Sequence, residues 1–300
     1  MNSPSPASSP LPASPSSPSS PSSSASSSTP RLALVKVGGE VVDDDAHLRG
    51  LAHNVGALVQ AGFDVVIVHG GGPQVTRLQE RLGQRAVKVA GQRVTGADDI
   101  FAVVAALAGT VNVTLCAALQ RAGVRAFGCH GASAALVNAR HRPPVDVAGH
   151  GVVDYGEVGD VVAVDAALLR GLCRLGVVPV VATLGLEPAT GRVLNVNGDS
   201  AAAAAAAATK ADLLLLVTAV GAVLRDVDDA GSRIAQLDRA GARAFLADGT
   251  IGGGMIPKVN EALALLDGGV GRVAIIDARD DGAFVSVARG DGARGTVLVP

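Results

Sequence analysis

Leu32-Ala33-Leu34-Val35-Lys36-Val37-Gly38-Gly39 is a short apolar run with one lysine near its end and two glycines directly after it. An unbroken run of this length is the mark of a strand buried on both faces of a parallel sheet. A second such run, Val65–Val68, leads straight into His69-Gly70-Gly71-Gly72-Pro73. Pro73 suits the first turn of a helix, here extending to about Leu82. Between the two strands, the polar residues Asp43–Asp45 open a helical pattern that runs to about Gln60 and ends at Gly62. Strand, helix, strand, helix is the signature of an α/β fold with a mostly parallel sheet covered on both faces.

The alternation continues outward from this core. A long helix is expected over Ala97–Ala122, a strand over Val124–Gly128, and hairpins between residues 134 and 165, where prolines and glycines break short β-like runs. A helix over Asp165–Leu175 and a strand over Val177–Thr183 follow. An alanine-rich helix, Ser200–Thr209, precedes the apolar strand Leu213–Val217. Helices over Arg239–Ala247 and Pro257–Asp267 and strands over Val273–Ile276 and Thr296–Val299 complete the pattern.

Residues 1–30 are different. They are almost entirely Ser, Pro and Ala and carry no charge; the first charged residue is Arg31. Such a stretch buries too little apolar surface to offset its ordering entropy, so it reads as a disordered, inert tail. It lacks the basic and apolar regions of a secretory signal.

Composition narrows the chemistry further. The 300 residues carry 25 Lys and Arg against 27 Asp and Glu, leaving no basic excess to attract nucleic acid. Aromatics are 2% with no Trp, which leaves no stacking platform for single strands. No apolar run free of glycine and charge reaches about 18 residues, so no membrane span is expected. Cys116, Cys129 and Cys173 are far apart and form no CxxC, which argues against disulfide and zinc sites and for a reducing, cytoplasmic setting.

Three glycine turns are read as following strands: Gly38-Gly39, Gly70-Gly71-Gly72 and Gly252-Gly253-Gly254. Glycine lets backbone amides approach a ligand, and amides at a helix N-terminus suit phosphate or carboxylate. Neither a Walker A loop nor a dinucleotide fingerprint is complete in any of them. Lys36 is the outlier, because a charge at the end of a buried strand is costly unless paired. Asn195-Val196-Asn197-Gly198-Asp199 precedes the alanine-rich helix, where Asp199 would serve as an N-cap. Two asparagines and an aspartate in one turn, in a chain with two site-like lysines, also fit a polar site. Arg93, in Gly91-Gln92-Arg93-Val94-Thr95, reads equally as a surface arginine or as a fork for a carboxylate. His69 reads as a hydrogen-bonded turn residue. His130 joins no triad, and no HxxxH metal pair or Gly-X-Ser-X-Gly elbow is present.

Taken in order, Lys36-Val37-Gly38-Gly39, His69-Gly70-Gly71-Gly72-Pro73, Arg93-Val94-Thr95, Asn195-Val196-Asn197-Gly198-Asp199 and Gly254-Met255-Ile256-Pro257-Lys258-Val259 resemble the amino acid kinase family over about residues 32–299. Ala106–Asn112 and Asp154–Gly159 are similar to family segments as well. The resemblance implies a three-layer α/β/α sandwich with a mostly parallel central sheet. Residues 31–183 would form mainly the acceptor lobe and 184–300 mainly the ATP lobe. It implies phosphoryl transfer from ATP, with Mg²⁺ bound through ATP, to the side-chain carboxylate of N-acetyl-L-glutamate in arginine biosynthesis. Alternatives are the one-methylene-longer N-acetyl-aminoadipate, free or carrier-linked, and a catalytically weak binding protein. Lys36 and Lys258 would act on the transferring phosphoryl group and Asp199 would orient them. Gly38 and Gly39 would bind phosphate through their amides. Gly71, Gly72, Arg93 and Asn195 would hold the acceptor, with Arg93 on its α-carboxylate.

Two stretches depart from the family pattern. Thr218-Ala219-Val220-Gly221-Ala222-Val223 stands where many relatives have Thr-Asp-Val-Pro-Gly-Val. His130-Gly131-Ala132-Ser133-Ala134 replaces Ser-Gly-Lys-Asp-Gly. Arginine-inhibited relatives carry an N-terminal helix that joins dimers into hexamers, which the Ser/Pro tail does not resemble. The expectation is therefore a homodimer insensitive to arginine.

Overall fold

The computed structural model describes residues 31–219, 221–226, 228–291 and 294–300. The Ser/Pro tail and Val220 lie outside the described residues. Eight strands form the central sheet: β1 (Leu32–Val37), β2 (Asp64–His69), β3 (Ala126–His130), β4 (Val178–Ala182), β5 (Leu213–Val217), β6 (Gln236–Asp238), β7 (Val273–Ile276) and β8 (Thr296–Val299). Their order is β6-β8-β7-β5-β1-β2-β4-β3. The β7–β8 pair is antiparallel and the other pairs of this sheet are parallel.

The helices are α1 (Gly39–Asp43), α2 (Asp45–Gln60), α3 (Gly72–Arg81), α4 (Ile100–Arg121), α5 (Ala166–Arg174), α6 (Gly198–Thr209), α7 (Arg239–Ala247), α8 (Met255–Asp267) and α9 (Ala283–Arg289). Leu51 and Leu58 of α2, Leu115 and Leu119 of α4 and Phe284 of α9 bury one face of the sheet. Leu169 of α5, Ala202 and Ala206 of α6 and Val259 and Leu266 of α8 bury the other. This is the expected three-layer α/β/α sandwich.

Strand β1 decides where the chemistry sits. Side chains alternate across a strand. Ala33, Val35 and Val37 join the α2 side, while Leu32 and Leu34 join the α6 side. Lys36 therefore points toward α6 and α8. Fully burying Leu32 and Leu34 stabilises β1 by roughly 2–3 kcal/mol each, enough to hold a lysine at the strand's end. The chain leaves β1 for β2 on one side and later returns to β5 on the other, so β1 marks the switch in strand order. Ligands of parallel sheets bind beyond the strand ends at such a switch. Val37, His69, Ala182, Val217 and Ile276 all reach the same rim.

Three readings need correction. The first concerns α4, which is a continuous 22-residue helix long and apolar enough to cross a membrane. Gly109, Thr110, Asn112 and Thr114 interrupt the apolar pattern without ending the helix, which passes through a π-helical stretch, Ala105–Val111. One face of α4 packs into the fold: Val103, Val111, Leu115 and Leu119 are buried, and buried Asn112 bonds across to β4. The second is the turn at Gly252–Gly254, which follows α7 rather than a strand. The third is a missed element: Leu184–Glu187 and Arg192–Val196 close a four-stranded barrel with Val137–His141 and Val158–Val164. The last strand of this barrel runs directly into α6.

Candidate active site

Two glycine turns and one helix start converge at the rim beside β1. Gly38 caps α1 and Gly71 caps α3. The turns pack against each other so closely that a Cβ on Gly39 would lie 2.5 Å from Gln74 Oε1 and 3.0 Å from Gly71 Cα. Gly39 is thus required for the two turns to meet, a Cβ on Gly71 would lie 2.7 Å from Leu107 Cδ2 of α4, and no atom approaches a Cβ built on Gly72.

Beneath the second turn, His69 is fully buried at the end of β2. Its Nδ1 donates to the Gly70 carbonyl at 2.8 Å and its Nε2 accepts from Asn112 Nδ2 at 3.0 Å. Burial pushes the imidazole down to about 4, so it is neutral near pH 7. It is the turn-positioning residue the sequence suggested.

On one side of this rim lies an open cleft lined by Gly70–Gly72, Lys88, Arg93, Leu107, Asn195 and Gly198, among others. Arg93 stands on a hairpin, Val87–Val89 with Gln92–Val94. Its guanidinium donates to Gln79 Oε1, to the Gly72 carbonyl at 2.9 Å and to Thr76 Oγ1 at 2.7 Å. Asp99 stands behind Gln79, whose amide donates to it at 2.7 Å. Burial lowers the Arg93 pKa and Asp99 opposes it. Among the described residues, then, Arg93 is aimed by neutral groups and its charge is left for an incoming anion.

Asn195 Nδ2 donates to Thr95 Oγ1 at 3.1 Å. A strap at residues 154–157 fastens the hairpin to this strand: Thr95 N donates to Tyr155 O, Glu157 N to Thr95 O and Asn195 N to Glu157 O. Gly156 has φ +70 and a Cβ there would lie 2.3 Å from the Thr95 carbonyl, so this position accepts only glycine.

The side of the rim facing α6 and α8 carries a cluster of charges. Lys36 Nζ lies 2.6 Å from Asp199 Oδ1 and 3.2 Å from Glu261 Oε1. Burial alone would push the Lys36 ammonium down, but the Asp199 and Glu261 carboxylates outweigh it and hold it above its ordinary value. Burial also works against ionised Asp199, and Lys36 overrides it, so Asp199 stays below the usual carboxylate range. Lys258 Nζ approaches Glu40 Oε1 at 3.8 Å and adds its field to Asp199. Lys36 and Asp199 are thus brought into contact as predicted, and Lys258 faces the same cluster from α8.

Asp199 is not the cap of α6. Asn197 Oδ1 accepts from Asp199 N at 2.9 Å and Ser200 N at 3.0 Å. With the cap supplied two residues earlier, the Asp199 carboxylate is released to reach Lys36. Four alanines of α6, Ala201, Ala202, Ala205 and Ala206, are buried, so the helix packs with its start beside β1.

Glu261 was not singled out in the sequence. It sits one turn after Lys258 in a mostly apolar helix, and that i, i+3 spacing was the available signal. A second cleft, lined by Ala222, Leu224, Arg225, Asp226, Gly249–Gly254 and Met255, lies at the start of α8. Ala222, one of the departures from the family pattern, lines it.

The amino acid kinase family model matches residues 31–277. The chain is 46% identical over 269 residues to the acetylglutamate kinase of Sorangium cellulosum, covering 89% of this chain and 94% of that one. It is 44% identical over 268 residues to the acetylglutamate kinase of Anaeromyxobacter sp. strain Fw109-5, covering 89% and 98%. Among solved structures, smu.665 from Streptococcus mutans superposes with a TM-score of 0.68 at 27% identity, covering 89% and 98%. N-acetylglutamate synthase from Neisseria gonorrhoeae, complexed with coenzyme A and N-acetyl-glutamate, superposes with a TM-score of 0.72 at 24% identity, covering 90% and 59%, which is a likeness of fold. With the family model matching most of the chain and these relatives at 44–46% identity, the chain belongs to the amino acid kinase family.

Proposed function

We propose that this chain transfers the γ-phosphoryl group of ATP to the side-chain carboxylate of N-acetyl-L-glutamate, giving ADP and N-acetylglutamyl 5-phosphate, a step of arginine biosynthesis. The observation that carries the reading is Lys36, a buried ammonium between two carboxylates, set beside a cleft whose Arg93 has no carboxylate at ion-pair distance among the described residues. A catalytically weak binding protein has no need of such a lysine clamp. The acetylglutamate kinases at 44–46% identity support the same acceptor.

The nucleophile is a carboxylate with an ordinary pKa of about 4, ionised at neutral pH. It needs no general base. The difficulty is bringing an anion to a polyanion, which is solved by positioning and charge stabilisation. Arg93 and Asn195 hold the acceptor backbone, with Gly71 and Gly72 beside it. The Gly38 and Gly39 amides receive phosphate oxygens, and Lys36 and Lys258 offset the charge that builds on the transferring group. Asp199 keeps Lys36 charged and aimed. Asp199 and Glu261 are committed to Lys36, so the donor set suits Mg²⁺ that arrives on ATP rather than in a protein cage. When bound, the ion neutralises phosphate charge. In this reading residues 31–183 supply most of the acceptor side and residues 184–300 most of the nucleotide side, with the Gly38-Gly39 turn and Asn195 crossing over.

The same reading carries a homodimer insensitive to arginine. Phe101 and Val113 of α4 are 66% and 62% exposed and Phe127 of the edge strand β3 is 46% exposed, the sort of apolar surface a second copy covers. Three free cysteines fit a cytoplasmic setting.

The deciding experiment traps acyl phosphate with hydroxylamine from Mg²⁺–ATP and either N-acetylglutamate or N-acetylaminoadipate. Strong preference for the shorter acceptor supports the proposal. Preference for the longer one moves the enzyme to the alternative acceptor, and no product from either overturns the kinase reading.

A further inference from the structure

Lys36 has three N–H donors and two carboxylate neighbours. Asp199 Oδ1 lies at 2.6 Å and the buried Oε1 of Glu261 at 3.2 Å, which leaves one donor for a phosphoryl oxygen. The Glu261 side chain is only 12% exposed, and its Oε1 and Asp199 Oδ1 close on the same Lys36 ammonium. A buried carboxyl group that meets a second carboxylate on one ammonium is disfavoured in its ionised form by burial and by the like charge.

We propose that Glu261 is a positioning residue that holds a proton beside Lys36 and Asp199, and that loss of this proton weakens binding of the nucleotide phosphates. The inference rests on the kinase reading of the site and adds a pH dependence to it.

The charges facing Glu261 set the sign. Lys36 faces it from β1, Asp199 from α6 and Lys258 from its own helix one turn earlier, with Glu40 of α1 reaching Lys258. Ionising Glu261 adds one negative charge to this cluster. A polyanion therefore prefers the protonated form, and phosphate binding in turn favours protonation. Burial, with Asp199 beside it and against the pull of Lys36, pushes the Glu261 carboxyl up to about 7, so the change falls at neutral pH. Asp199, held below the usual carboxylate range, and Lys36, held above its ordinary value, keep their charges across that range, and the acceptor carboxylate is ionised throughout it.

The test compares wild type with Glu261→Gln, which keeps the shape and a donor but cannot ionise. The readout is the pH dependence of kcat/KM for ATP between pH 6.5 and 8.5. ATP's own ionisation is common to both proteins and cancels in their ratio. The wild-type value is expected to fall relative to the variant by about tenfold over the alkaline half of that range. A ratio that does not change with pH overturns the proposal, since a merely structural glutamate would shift both proteins equally at every pH.

A second measurement needs no turnover. Calorimetry of a non-hydrolysable ATP analogue with Mg²⁺ at pH 7.5, in buffers of different ionisation enthalpy, should show wild type taking up roughly half a proton more than Glu261→Gln. Equal uptake overturns the inference while leaving the kinase reading intact. Failure of wild type to form acyl phosphate would instead count against the kinase reading.

Discussion

The two sides of the cleft handle positive charge in opposite ways. On the acceptor side, Arg93 is aimed by an amide, a hydroxyl and a carbonyl, and His69 is kept neutral. On the phosphoryl side, Lys36 is clamped by two carboxylates and Lys258 approaches a third. The difference follows from what each cation does. An arginine that binds a carboxylate needs its charge free and its fork fixed, and neutral partners do both. A buried lysine loses its proton unless an anion holds it, and here Asp199 is that anion.

The strongest test of this contrast is on the charged side. Lys36→Ala or Asp199→Ala is expected to lower kcat by about 10³-fold or more, with the far-ultraviolet circular dichroism spectrum unchanged, since each removes electrostatic stabilisation of the transferring group. Near-normal turnover in either variant would remove the clamp from the mechanism.

Next is Arg93→Lys. The charge survives and the fork is lost, so KM for the acceptor should rise about 100-fold while KM for ATP stays within about twofold. Equal increases in both would mean that the two sides are not separable.

Acid should strike the neutral side. The folded His69 sits at about 4 against an unfolded value of 6.5, so the folded protein binds fewer protons between these limits. Its contribution is full above about pH 6.5 and is lost as pH falls toward 4, about 2–3 kcal/mol by pH 4.5. Urea unfolding at pH 7 and 4.5 should show that pH-dependent loss shrink in His69→Gln.

The smallest effect is at Glu40, whose carboxylate folds over Gly38 and faces Lys258. The side chain is 46% exposed, so it competes only weakly with phosphate. Glu40→Gln is expected to lower KM for ATP by about two- to threefold, measured at fixed acceptor.

Much of this was legible because the signals are local. The apolar run of β1, the lysine within it and the glycines after it are contiguous, and the alternation of elements gave the sandwich. The barrel strands Leu184–Glu187 and Arg192–Val196 were missed because four- and five-residue strands with mixed burial carry little periodicity of their own. Arg93 stayed ambiguous because its partners, Gly72, Thr76 and Gln79, belong to another element. Asp199 read as a cap because Asn197 is an equally good one, and only packing decides between them. Glu261 escaped because its partner is Lys36, far away in the chain, and its burial depends on how α8 docks beside β1.

The segment Asn195–Asp199 has a consequence for how the two substrates communicate. Asn195 lines the acceptor cleft, Asn197 caps α6, and Asp199 grips Lys36, all within five residues. Were acceptor binding to change the free energy of the nucleotide complex, the nucleotide would have to change that of the acceptor complex equally, because the cycle closes. Asn195–Asp199 would then be the covalent link between the two, shorter than two turns of helix.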